Sequence, residues 1–145
     1  MQLTKLLFAI TTLLGTAFAV PAGKPTGGPA TAQVTIYSGP YTCASADQPP
    51  PKDGSAGTSK IVNIAETQCI VVSIPFGGAL TASMTATPKT GTIGCYIQIF
   101  SQQGCGLTLQ NQYHGFPFDG VTAGSTVGCA SPPVQSYGGL QIVCG

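Results

Sequence analysis

The chain has 145 residues, with five lysines, no arginine, four acidic residues and one histidine, for a formal net charge of +1. Charged residues make up only 6% of it, which excludes a nucleic-acid surface built on clustered cations and electrostatic attachment to an anionic membrane. Hydrophobic residues make up 43%, in recurrent Val, Ile and Thr runs that a disordered chain does not show.

Met1 to Ala19 reads as a signal peptide. It has one cation, Lys5, an apolar run from Leu6, and an Ala17-Phe18-Ala19 cleavage pattern. The run is broken by Thr11, Thr12, Gly15 and Thr16, and Pro21 follows, so it does not read as a membrane span. Cleavage after Ala19 leaves residues 20–145, with four lysines against four acids. The expected product is secreted and extracellular, with no membrane span. All six cysteines (Cys43, Cys69, Cys95, Cys105, Cys129 and Cys144) fall in this mature part. An even count behind a signal peptide reads as a disulfide framework. No C-x-x-C pair is present and the single His114 is not spaced for co-ligation, so no metal site is expected.

Residues 20–32, rich in Gly and Pro, read as a flexible lead-in to a single β domain, 33–145. Val34-Ile36 alternates as a half-buried strand does. Residues 44–59, with Pro49-Pro50-Pro51, read as a solvated loop or an exposed binding loop. Ile61–Ile64 and Ile70–Ile74 are denser β-branched runs, the latter expected to be the more buried. Leu80–Thr87, Ile97–Ile99, Leu107–Leu109, Ser125–Cys129 and Leu140–Cys144 complete about eight strands. The segment Tyr113-His114-Gly115-Phe116-Pro117-Phe118-Asp119 concentrates aromatics, the only histidine and an acid. It reads either as aromatics capping the core or as an exposed loop, with Tyr113, His114, Phe116 and Phe118 as candidate partner-binding residues.

The chain repeats itself. Offsets between matching landmarks are 63 (Tyr37 to Phe100), 62 (Cys43 to Cys105), 60 (Cys69 to Cys129) and 61 (Phe76 to Tyr137). The fold class expected is therefore all-β: a small disulfide-stapled β-sandwich of two Greek-key-like repeats, 33–87 and 95–145. The same argument orders the cysteines. If the copies fold alike, Cys43 pairs with Cys69 and Cys105 with Cys129; a bond from Cys43 to any cysteine beyond Tyr96 would refute both this pairing and the two-copy model behind it. Cys95 then pairs with Cys144; its equivalents in the first copy, Ala32 and Ser83, are both non-cysteine, and the first and fourth strands of a Greek key lie side by side.

The second half, Cys95 to Cys144, resembles fungal small secreted cysteine-rich proteins and, more distantly, βγ-crystallin motifs. Phe100-Ser-Gln-Gln-Gly-Cys105-Gly106 keeps the four-residue spacing between the two aromatics of the crystallin hairpin, with cysteine in place of the second aromatic. The family's calcium motif has no match, since Asp119-Gly-Val-Thr and Asp53-Gly-Ser-Ala offer one carboxylate each. No cofactor is expected. Acid–base catalysis would have to draw on Asp47, Asp53, Glu66, Asp119 and His114, and no nucleophile signature accompanies them. The expectation is a non-enzyme, an interaction protein that binds a protein or glycan outside the producing cell. The resemblance implies an effector acting in virulence on a host; a structural surface or stress protein and an antimicrobial or killer-type toxin are the alternatives.

Overall fold

A computed structural model describes residues 27–133 and 135–145. The expected signal segment and residues 20–26 lie outside the described residues. Eight strands follow in order: β1 (Thr31–Tyr37), β2 (Ser59–Ala65), β3 (Cys69–Ile74), β4 (Ala79–Ala86), β5 (Cys95–Phe100), β6 (Tyr113–Pro117), β7 (Thr126–Ala130) and β8 (Tyr137–Cys144). They form two four-stranded sheets, ordered β2-β1-β4-β7 and β3-β8-β5-β6, and every pairing is antiparallel. The all-β, disulfide-stapled sandwich is thus as expected.

Strand periodicity builds the core. Val34, Ile36, Leu80, Ala82 and Met84 point inward from the first sheet, and Ile74, Ile97, Ile99, Leu140 and Ile142 from the second; all are buried in one cluster. Aliphatic branched side chains interdigitate between two pleated faces about 10 Å apart.

The Cys43–Cys129 bond overturns the model of two copies that each fold and bridge within themselves; what the register keeps is a strand-by-strand correspondence between two interlocked halves, or copies. Each fourth strand returns beside its first: Ile36 pairs with Leu80, and Ile99 with Leu140. Each third strand leaves its own copy. β3 joins the second sheet beside β8, and β7 joins the first sheet beside β4. Neither copy closes alone.

That exchange overturns two of the three expected disulfides. Cys43 bonds Cys129 and Cys69 bonds Cys105, with Cα separations of 5.8 and 5.9 Å. Cys43 follows β1 and finds on its own sheet the third strand of the other copy; Cys105 follows β5 and finds β3. Cys95–Cys144 forms as expected, on directly opposed residues of β5 and β8. Its first-copy counterpart by register is the pair Ala32 and Met84, so Met84, not Ser83, is the equivalent of Cys144. Both members are buried, and apolar packing fills the place of the bond.

Three further expectations are corrected. β1 begins at Thr31 and Ala30 is fully buried, so the lead-in is already ordered there. Leu107–Leu109 is not a strand. Leu107 and Leu109 are 67% and 92% exposed, in a loop whose polar groups close on Asn111 instead of a ladder. Asn111 Nδ2 donates to the carbonyls of Gly104 and Gly106, and its Oδ1 accepts from the Gln102 amide. The second copy's second strand is β6, in the segment expected to be an aromatic loop or core cap. β3 is the more buried of the two β-branched runs, as expected: both are edge strands, but β3 buries Val72 and Ile74 where β2 buries only Ile64.

Candidate functional site

Ile97 and Ile99 face the core, so the alternation of β5 sends Tyr96 and Gln98 to the outer face of the second sheet. On β8, inward Leu140 and Ile142 likewise leave Gln141 and Val143 outside. On β6, His114 and Phe116 are half-buried, while Tyr113 and Gly115 are exposed. The ladder then sets the neighbours: Tyr96 lies opposite Val143, and Gln98 lies between Gln141 and Gly115.

Two tyrosines dominate this face, Tyr96 at 46% and Tyr113 at 44% exposure. The Tyr113 ring rests against buried Phe100, with centroids 5.9 Å apart and planes tilted by 40°, and its edge reaches the space beside Gly115. The Tyr96 ring leans the other way, over Gly94, where a Cβ would meet it at 3.6 Å. Between them Gln141 Nε2 donates to Gln98 Oε1 at 2.7 Å, which fixes both amides. With Ile93, 90% exposed, Tyr96, Gln98, Tyr113, Gly115 and Val143 line an open groove of about 730 Å³, within the size range of small-ligand clefts. The groove's lining contains no acidic or basic side chain.

The four residues singled out from sequence are split by this geometry. Tyr113 joins the groove. His114 turns to the inner side, edge-on to buried Tyr137 with ring centroids 6.0 Å apart. Phe116 packs on the core and Phe118 belongs to it, at 7% exposure. His114 and Asp119 have separate engagements: Asp119 accepts from the amide and hydroxyl of Thr126, at 2.7 and 3.1 Å. Tyr96, Gln98, Gln141 and Val143 were missed. The phase of the Ile97–Ile99 alternation already placed Tyr96 and Gln98 outside, but aromatic density drew attention to 113–118 instead.

Two other places on the surface are shaped differently. A cleft of about 380 Å³ opens between β6 and β7, with Phe116, Val127, Asp47 and Asp119 in its lining. The Pro-rich segment 44–59 is pinned rather than free. The Cys129 amide donates to the Ala46 carbonyl and the Gly39 amide to that of Ala56, and Pro50 and Ala56 are buried. At its tip, hydrogen bonds from the Ser55 hydroxyl and then its amide hold the Asp53 carboxyl below the usual carboxylate range.

Among the described residues, no helix is long and apolar enough to cross a membrane. No family model, curated protein or solved structure matches the chain.

Proposed function

We propose that this is a secreted, effector-like interaction protein that binds an extracellular partner without catalysis, and that the outer face of the second sheet is its contact surface. The observation that carries the reading is the pair of exposed tyrosines, Tyr96 and Tyr113, on a rigid sheet. The bond between Cys95 and Cys144 joins its two central strands. A second, Cys69–Cys105, ties its edge strand to the loop after β5. Aromatic anchors on a preorganised scaffold lose little conformational entropy on binding. Three disulfides in so small a chain are typical of extracellular proteins, which supports the secreted part of the reading. The engagement of His114 with Tyr137 and of Asp119 with Thr126 supports the non-catalytic part.

The test compares the wild-type chain, Tyr96→Ala/Tyr113→Ala and His114→Ala for retention of extracellular extract components from a host and from the producing organism. Retention by the wild type and His114→Ala, lost in the tyrosine variant, is the expected result. Equal retention by all three removes the assigned face, and turnover of a substrate by the wild type removes the non-catalytic reading.

A second reading, a crystallin-like structural or stress protein, is supported by the twofold repetition of the four-strand unit. It expects the tyrosine variant to be fully functional.

A further inference from the structure

We infer that the ligand of the Tyr96–Tyr113 face is an uncharged polysaccharide chain, an inference that rests on the binding reading above. Three observations converge. First, the groove is lined by aromatic, aliphatic, glycine and amide groups, with no ionisable side chain. An anionic polymer would find no cationic side chain there. A neutral ligand covers these side chains without desolvating a charged one.

Second, the polar groups suit hydroxyls. The Gln141-to-Gln98 bond uses one donor and one acceptor. Gln98, in the groove's lining, keeps its NH₂, and Gln141, opposite it on β8, keeps a carbonyl oxygen. Neighbouring hydroxyls of a sugar ring, each both donor and acceptor, complement such a pair. The negatively polarised face of a tyrosine ring attracts the weakly positive C–H groups on the flat side of a pyranose. Phe100 behind Tyr113 fixes that ring before the ligand arrives.

Third, the spacing calls for a chain. Tyr113 pairs with Phe100, four residues along β5 from Tyr96. At the strand rise this separates the two Cα atoms by about 14 Å. A monosaccharide does not bridge that distance and an oligosaccharide does. Gly115, opposite Gln98, leaves the floor between the tyrosines low enough for a continuous strand of sugars. A protein partner would use the same tyrosines but has no need of the bare, neutral floor.

The experiment uses the purified full chain with insoluble cellulose, chitin and β-1,3-glucan as neutral probes and polygalacturonate as the charged control. Matched soluble disaccharides and hexasaccharides are followed by two-dimensional NMR. Variants are Tyr96→Ala, Tyr113→Ala, both tyrosines singly to Phe, and Gln98→Ala. The extracellular protein fraction, cleared of polysaccharide, forms a separate arm.

At least one neutral polymer is expected to retain the protein, with the hexasaccharide binding more tightly than the disaccharide. Each Ala variant should weaken binding by about tenfold or more, while the Phe variants, which preserve ring and fold, keep it. Binding only to polygalacturonate, binding indifferent to the tyrosines, or no neutral polymer bound overturns the inference. If the protein fraction alone is retained, and through the same tyrosines, the glycan inference fails and the binding reading stands. If neither arm depends on them, both fail.

Discussion

Replacing cysteines in chosen pairs tests whether the two copies are covalently tied to each other. Cys43→Ala/Cys129→Ala removes one bridge and leaves Cys69–Cys105 and Cys95–Cys144 intact, so no free thiol is expected. Cys43→Ala/Cys69→Ala removes one partner from each of two bridges, which leaves Cys105, in the loop after β5, and Cys129, on β7, as two free thiols. The bridges span 86 and 36 residues of sequence. Chain-entropy arithmetic makes the first worth about 4.5 kcal/mol and the second about 4 kcal/mol. At about 4 °C per kcal/mol for a domain of this size, the first variant should melt about 18 °C lower. The second variant should lose considerably more, though less than the simple sum, because the two loops are nested. Thiol titration of the folded protein and of the denatured protein, with melting followed by circular dichroism, reads both quantities. Two free thiols in the first variant and none in the second would refute the strand exchange, since that is the pattern of bridges closed within each copy.

Three other outcomes are expected. Asn111→Ala should cost about 2–3 kcal/mol, because it deletes three hydrogen bonds of a buried side chain; amide exchange should rise first in 101–112, and an unchanged melt would show that the loop does not close on Asn111. Gly128→Ala should lower stability by about 1–3 kcal/mol, because the added Cβ would sit 2.7 Å from the Ala46 carbonyl oxygen and 2.9 Å from Asp47 Cα; faster proteolysis within 44–58 is the accompanying sign. The Asp53 carboxyl is held low by Ser55, so its contribution is present above the usual carboxylate range and lost as pH falls through the lowered value. The Ser55 amide resonance should therefore titrate with a midpoint below that of an ordinary aspartate. Because the group is fully exposed, Asp53→Asn should leave the melting temperature at neutral pH unchanged.

What the sequence disclosed and what it withheld follow from the range of the interactions involved. Seven of the eight strands carry a local signature, and the structure places strands there. The eighth, β6, reads Tyr-His-Gly-Phe-Pro, where apolar residues on both faces and a Gly and a Pro conceal the period. Nearby Leu107-Thr-Leu109 imitates that period without a neighbouring strand to pair with, and the amide of Asn111 organises it as a loop. The cysteine pairing failed for a different reason. By register Cys129 is equivalent to Cys69, because Ala130 lies opposite Leu80 as Ile70 lies opposite Leu140. Pairing within copies and pairing between copies are both unchanged when the copies are interchanged. The repeat could therefore establish which cysteines are equivalent and still be silent on which are bonded. The deciding fact is non-local: each third strand completes the sheet of the other copy. The same fact bears on the candidate site. Its sheet takes β5, β6 and β8 from the second copy and β3 from the first, and Cys69–Cys105 joins β3 to the loop beyond Phe100. The ring that supports Tyr113 is thus held on a sheet whose far edge and near loop come from different copies. A loosening of either copy should reach the tyrosine face even though no groove residue is a cysteine.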